Sequence, residues 1–421
     1  MRITPRRCLR NGVIILFIFG LLSCFKVLWR PKVPTLIRKP PSRLQWVQGQ
    51  PTRKPATQVY SPTHTTEVED SSPSLLEKSR ILILVYTKFW NEERWVGEQR
   101  GECFLDYDRK TQCPLEKFEV TYDKKRFAES DLVIFHAAAV NMPNLKHLRS
   151  LSKNRASSQR WVYQSMESPM SMPDPKPLNG LFNLTWTYRG DADFSAAYGA
   201  YVPLSPEEKL NKMASFMTDF SQGKSELVAW LVSNCQSQLR MSFVRELKKY
   251  IKVDVFGSCS RLFGNPRKCS KSYEKHCLKR YKFYLSFENV MCKDYITEKY
   301  WDHLGEETNI VPVVMGGADP SDYKRMAIPG SYINVMDFKT VKQLAEYLQY
   351  LDKNNTAYNE YFKWRLKYKK SPYHYPLCNF CRSLALKPDL RKPKVYHDLK
   401  KYWEGEGVCK MQGILVRYMW S

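Results

Sequence analysis

Residues 283–299, FYLSFENVMCKDYITEK, decide how this chain reads. The opening FYLSF is too continuously apolar for a strand with one wet face. It reads as a strand of a parallel sheet, buried on both sides. It ends in Glu288-Asn289, a polar pair with no packing reason to stand at a strand's carboxyl end. After a loop, Tyr295-Ile296-Thr297-Glu298-Lys299 opens a helix. A helix N-terminus carries free backbone N–H groups and the positive end of the dipole, which suit a phosphate. Lys299 adds a mobile cation, Glu298 can bind ribose or sugar hydroxyls, and Tyr295 can stack or donate a hydrogen bond. The plainer alternative is that Thr297 and Glu298 only cap and charge the helix.

Outward from this stretch the strand-then-helix pattern recurs. Upstream lie residues 81–86 (ILILVY), 132–136 (LVIFH) and 160–163 (RWVY), the last leading into a loop, 164–175, dense in Ser, Met and Pro. Nearer by are 227–233 (LVAWLVS), a helical pattern over 238–250, and 253–256 (VDVF). A helix from Thr297 to near Leu304 precedes 310–314 (IVPVV) and Gly316-Gly317. Such alternation predicts parallel sheets. Residues 203–223, with Pro, Ser and Gly, separate the two sets. Two doubly wound domains facing across a cleft are expected, with ligands at the strands' carboxyl ends. The sequence holds no GxGxxG and no Walker loop, so a dinucleotide or ATP enzyme has no support.

The 421 residues, 43% hydrophobic with 11 Trp, 26 Tyr and 20 Phe, suffice for two domains with substantial cores. The formal charge is +25, and about ten units of it fall in the first 80 residues. No zinc-finger, RRM-like or basic-zipper pattern accompanies it, so nucleic acid is not an expected partner. An anionic sugar nucleotide or a phosphate-bearing membrane surface is compatible with the charge, and a basic but solvated surface accounts for most of the excess. Residues 1–11 carry Arg2, Arg6, Arg7 and Arg10 and no acid, as a cytosolic tail does. Residues 12–29 are read as a transmembrane signal-anchor, short but extended by a snorkelling Lys26 and an interfacial Trp29. Residues 30–76, rich in Pro, Thr, Ser, Arg and Gln, cannot bury enough apolar area to order themselves and read as a flexible stem. Ten of the 12 cysteines lie between Cys103 and Cys409, and sequons stand at Asn183 and Asn354. Behind an anchor, these predict an oxidised, lumenal, N-glycosylated head. The whole describes a single-pass type II protein of the Golgi membrane.

Residues 283–299 closely resemble the donor-binding motif of the α1,3-fucosyltransferases, glycosyltransferase family 10, which reads roughly FYLxFENSxxxDYITEK. Val311-Pro312-Val313-Val314, Gly316 and Tyr361-Phe362-Lys363-Trp364-Arg365 also match that family. The resemblance covers most of residues 80–385. It implies a GT-B fold with two Rossmann-like domains: an acceptor-side domain over 77–205, a GDP-fucose-binding domain over 206–375, and a tail with a CxxC over 376–421. It implies inverting transfer of L-fucose from GDP-fucose to the 3-hydroxyl of GlcNAc on a glycoprotein or glycolipid. No cofactor is required, and a divalent metal is not expected to be essential.

The resemblance also assigns residues. Val232-Ser233-Asn234 and Arg240 correspond to the family's V-S-N…R segment, where the arginine meets the diphosphate. Arg suits that task because its planar fork engages two phosphate oxygens. Cys235 replaces the family's Trp and the spacing is one residue shorter, which leaves Arg245 as the fallback. Glu288, Asn289, Tyr295, Glu298 and Lys299 complete the donor side. Glu167-Ser168-Pro169 resembles the E-S-P loop, making Glu167 the general base. Tyr188, Arg189, Asp193 and Tyr198 resemble the Y-R-x-D-S-D…Y-G segment, as donor or acceptor contacts. Asp191-Ala192-Asp193 also reads as a DxD, the metal-ligand pair of a GT-A glycosyltransferase, and a metal-dependent enzyme of that type is one alternative. A non-catalytic lumenal glycan-binding protein is another. Cys378 and Cys381 can be half of a zinc site with Cys103 and Cys113. The family instead ties two such early cysteines to the C-terminal CxxC by disulfides, and that pairing is expected here.

Overall fold

The computed structural model describes residues 78–410, except 91, 97–102, 106–110, 141, 217–218, 265–268, 270–272, 372–375, 388–389 and 391–393. The expected tail, anchor and stem lie outside these residues. Among the described residues no helix is long and apolar enough to cross a membrane.

The first half is a six-stranded parallel sheet of β1 (Ile81–Val85), β2 (Phe118–Thr121), β3 (Leu132–His136), β4 (Arg160–Ser165), β5 (Leu184–Thr187) and β6 (Phe194–Ser195). Their spatial order is β2-β1-β3-β4-β5-β6. Every residue of β1, β3 and β5 is buried, as expected of parallel strands covered on both faces. β7 (Tyr201–Pro203) leaves this sheet for the other half.

The second half adds β8 (Glu226–Leu231), β9 (Val253–Phe256), β10 (Tyr281–Phe287), β11 (Met291–Cys292), β12 (Val311–Met315) and β13 (Ile333–Asn334). Five of these form a parallel sheet in the order β13-β12-β10-β8-β9. β10 is its centre: all seven residues are buried, and it pairs Phe283 with Val311 and Tyr281 with Glu226. Helices Gln238–Leu247 and Val341–Lys353 cover one face through Leu239, Phe243, Leu247, Leu344, Leu348 and Leu351, spaced one helical turn apart. In both sheets the strand order reverses once, between β1 and β3 and between β8 and β10. Crevices for ligands form at such switch points.

Two segments read as a separator and a tail carry ordered elements. The separator at 203–223 contains a helix, Pro206–Ser215, opened by a capping box in which Ser205 and Glu208 exchange hydrogen bonds. Nor do residues 376–410 form a tail. β7 pairs antiparallel with β14 (Tyr368–Lys370), and the chain then returns to the first sheet. Helix Pro376–Leu386 sets the Phe380 ring 4.9 Å from Trp186 and 4.5 Å from Phe194. Helix Leu399–Glu404 buries Trp403 against Tyr163 and Tyr188. β15 (Cys409–Lys410) finally pairs antiparallel with β11, inside residues 283–299.

Disulfides fix this return. Cys103–Cys378 closes a separation of 275 residues, for which the chain-entropy account gives about 5.6 kcal/mol. Its expected companion is corrected: Cys113 and Cys381 are buried thiols, hydrogen-bonded to each other rather than bridged. Cys235–Cys259, Cys269–Cys277 and Cys292–Cys409 use the remaining partners in the head. Cys292, an odd residue within so regular a motif, is the anchor point of the returning chain.

Candidate active site

At the switch point of the second sheet, β8 runs out into Ser233 and Asn234, both exposed, and β10 into Glu288 and half-buried Asn289. Arg240 joins the two strand ends from below. The residue is 3% exposed, and its guanidinium donates to Phe287 O (3.0 Å) and Asn234 O. These bonds tie the two strand ends together and leave Nε of the side chain expected on the diphosphate without a hydrogen-bond partner. Burial works against its charge, partly offset by Glu288. Its fallback, Arg245, is exposed, with its guanidinium 5.7 Å from the Phe263 ring. Gly257, at φ +86°, allows the loop after β9 to approach: a Cβ there would lie 2.5 Å from Val232 O.

Glu288 is 2% exposed. Its Oε1 accepts Thr297 N–H (2.8 Å) and Thr297 Oγ1–H (2.9 Å), and its Oε2 lies 3.1 Å from Lys299 Nζ. Burial raises its pKa against the pull of Lys299 and Thr297. Glu288 thereby holds the loop closed. Gly316 faces it, where a Cβ would come within 2.7 Å of Glu288 Cγ. Lys299 Nζ also contacts Thr297 Oγ1 (2.8 Å) and Glu298 Oε1 (3.0 Å). Burial disfavours its charge, but Glu288 and Glu298 more than compensate and hold its pKa above the ordinary lysine value. Glu298 is the open member, its side chain 54% exposed. Burial raises its pKa, yet Lys299 outweighs this and leaves it lowered. The helix here, Glu298–Trp301, is a single turn continued by a 3-10 turn to Leu304. Its dipole is correspondingly weak, so the cation of Lys299 dominates the local field.

From the first sheet, β4 delivers Glu167. Ser165 Oγ donates to Glu167 O (3.0 Å) and Tyr198 Oη donates to Met166 O (2.7 Å), fixing the loop backbone. Tyr295 Oη, from residues 283–299, donates to Glu167 Oε2 at 3.0 Å. Asp294, next to it, sits at φ +60° and accepts Gly190 N–H (3.0 Å) and an N–H of Arg325. Gly199 lets the halves close further: a Cβ there would strike the Trp301 ring at 2.1 Å. Beside Glu167's strand, at the β1–β3 switch point, lies a cavity of about 620 Å³ whose lining includes Tyr86, Thr87, Trp90, Glu93, His136 and His147. His136 is 1% exposed, burial lowers its pKa to about 4, and neither ring nitrogen has a hydrogen-bond partner.

The Tyr188–Asp193 segment is structural, which corrects its expected role as ligand contacts. Tyr188, Arg189 and Asp193 are 0%, 4% and 5% exposed. Arg189 grips Asp191 through Nε (2.8 Å) and Nη2 (2.7 Å), and its guanidinium lies 4.3 Å from the Tyr402 ring. Asp191 also accepts Lys293 Nζ (2.8 Å). Asp193 is held by Lys394, Thr185 and Tyr396. Each carboxylate of the DxD is neutralised by different protein cations, so the pair presents no joint metal-binding face. Among the described residues no group of three or more His, Cys, Asp or Glu could hold a metal ion. Asn183 is corrected as a glycan acceptor in the folded head: it is 4% exposed, its amide donating to Lys394 O (2.8 Å) and accepting from Trp161 N–H (2.9 Å). Asn354 is partly exposed at a helix N-cap.

The sequence reading gave no role to Lys293 or Asp294, although both lie within residues 283–299 and Asp294 is the acid that opens DYITEK, nor to Gly199, matched only as the second member of Tyr198-Gly199.

The model "Fucosyltransferase, N-terminal" matches residues 78–199, and "Glycosyltransferase family 10 (fucosyltransferase) C-term" matches residues 221–403. Glycoprotein 3-alpha-L-fucosyltransferase A of Drosophila melanogaster is 34% identical over 322 residues, which are 75% of this chain and 59% of that protein. The match thus spans well under two thirds of that relative's length. Alpha-(1,3)-fucosyltransferase C of the same organism is 30% identical over 78% of this chain and 79% of that protein. Human 4-galactosyl-N-acetylglucosaminide 3-alpha-L-fucosyltransferase FUT6 is 38% identical over 63% of this chain and 69% of that protein.

Proposed function

The chain belongs to glycosyltransferase family 10, the fucosyltransferases, and from that premise we propose that it is an inverting, GDP-fucose-dependent α1,3-fucosyltransferase. It moves L-fucose to the 3-hydroxyl of GlcNAc in N-glycans or related glycoconjugates. The observation that carries this reading is the meeting of Glu167 with the donor motif, through Tyr295 Oη at 3.0 Å. A base and a donor loop from opposite halves share one crevice.

The donor lies at the β8–β10 switch point, with Ser233, Asn234, Asn289 and Glu298 positioning nucleotide and sugar. Lys299 is the cation for the diphosphate. The acceptor enters from the first sheet, where the cavity beside Trp90 and His136 offers aromatic faces and polar groups to a sugar. Glu167 takes the proton of the acceptor hydroxyl as its oxygen attacks the anomeric carbon. The bond from that carbon to the phosphate oxygen breaks, and GDP departs with the electron pair. Attack opposite the leaving group inverts the centre. Charge appearing on the phosphate meets Lys299, already held protonated by Glu288 and Glu298. The scheme asks nothing of Asp191 or Asp193 and requires no metal.

The same reading places the head in the Golgi lumen behind an N-terminal anchor. Four disulfides support an oxidising compartment. Linkage analysis of products from GDP-fucose and a panel of GlcNAc-containing acceptors tests the proposal. Fucose α-linked to the 3-hydroxyl of GlcNAc is expected; transfer to another position, or from another sugar nucleotide only, would overturn it.

A further inference from the structure

We propose that the Cys235–Cys259 disulfide is a positioning element of the donor site, holding the loop after β8 in the shape that receives the nucleotide. The inference rests on the reading of Ser233 and Asn234 as donor contacts. β8 and β9 are neighbours in the second sheet and run parallel, with Leu231 opposite Phe256. The segments that follow them therefore leave the same edge of the sheet side by side. Residues 232–237, after β8, form neither helix nor strand, and Ser233, Asn234 and Gln236 are exposed. An untethered loop of this kind has to be ordered when a nucleotide binds, and that ordering costs affinity.

In this loop the order is built in. Half-buried Cys235 is bonded to Cys259, which is fully buried in the turn after β9. Cys259 N–H donates to Val232 O (3.1 Å), and Val232 N–H donates to Phe256 O (3.0 Å). The two segments touch so closely that a Cβ at Gly257 would stand 3.0 Å from Ser233 Oγ. Arg240 donates to Asn234 O from below. Asn234 Oδ1 accepts Gln236 N–H (3.0 Å), leaving Nδ2, unpaired among the described residues, for a ligand. Each of these hydrogen bonds adds little net stability beside water, and the covalent link between the two segments keeps them formed together. Cys269–Cys277 differs in place. Cys277 lies on helix Glu274–Leu278, which leads into the amino end of β10, the opposite edge of the sheet from the crevice.

The test removes each bridge in turn from the whole chain, by Cys235→Ser with Cys259→Ala and by Cys269→Ser with Cys277→Ser. Loss of the first bridge should raise donor KM, and weaken GDP binding measured by calorimetry, by about tenfold. Its kcat at saturating donor and its acceptor KM should stay within about twofold, the split expected when only donor binding is lost. Loss of the second bridge should leave donor KM within about twofold. A merely structural role would lower the melting temperature of both variants without separating their donor KM values. The wild-type protein gives a second measurement that needs no variant to fold: limited reduction by a water-soluble phosphine, then alkylation and mass spectrometry. Saturating GDP should slow reduction of Cys235–Cys259 severalfold by restricting access to it, and leave Cys269–Cys277 unaffected. A donor KM unchanged in the first variant or raised equally in the second, or equal rates of reduction with and without GDP, would overturn the inference. If the wild type itself binds no GDP, the donor reading fails first, whatever the bridge does.

Discussion

The two walls of the crevice were built from sequence segments that look equally rich in chemistry, yet they behave differently. Residues 288–299 in the second half keep a charged end open: Glu298 is half exposed and Lys299 borders the crevice. Residues 188–193 in the first half show a comparable density of Tyr, Arg and Asp, and nearly all of it is buried and paired. The difference lies in where the partners come from. Glu288, Thr297 and Lys299 satisfy one another within a dozen residues. Arg189 and Asp193 are satisfied by Tyr402 and Lys394, from the chain's returning segment.

Substitutions on the two walls should therefore fail in different ways. The largest effect belongs to Glu167→Gln, with transfer falling about 10²- to 10⁴-fold. Thermal stability should be nearly unchanged, because the amide can still accept from Tyr295. Next is Lys299→Ala. Loss of a charged partner for the diphosphate should raise donor KM about 10- to 100-fold, read from initial rates over a GDP-fucose series. An unchanged donor KM would move the diphosphate contact elsewhere, to Arg245 first.

The smallest effect on turnover, and the sharpest contrast, is expected from Asp191→Asn. Burial raises the Asp191 pKa, but Arg189 and Lys293 outweigh it and bring it to about 2, from a reference of 3.8. A carboxylate with a depressed folded pKa stabilises above its unfolded value and loses that stabilisation as pH falls towards the folded one. Denaturant unfolding should show about 2 kcal/mol lost in the variant at neutral pH. The wild type should converge on it between about pH 4 and pH 2. Kinetics of the folded variant should stay near normal with or without chelator. A large kcat loss without destabilisation would return Asp191 to the site.

Much of the fold was legible. β1, β3 and β12 are short, continuous apolar runs between polar turns, and such runs mark buried parallel strands without knowledge of their neighbours. β5 was not read, because Leu184–Thr187 alternates with Thr and looks half-exposed until the returning chain covers it. The CxxC at Cys378 and Cys381 pointed to the first domain, but the destination of residues 394–410 did not show. Lys394, Tyr402 and Cys409 carry no local pattern, and only pairing with partners far upstream gives them a role. Arg240 was assigned to the diphosphate by resemblance; that it also bonds two carbonyls, Phe287 O and Asn234 O, could not be read, because only the folded strand ends bring these together.

The central claim is that one wall performs the proton chemistry and the other holds the donor. Calorimetric titration of GDP into Glu167→Gln, beside an assay of fucosyl transfer by the same sample, tests it most directly. GDP affinity within about twofold of wild type, with transfer reduced at least about a hundredfold, is the predicted result. Transfer near the wild-type rate, or GDP affinity lost in step with transfer, would contradict it.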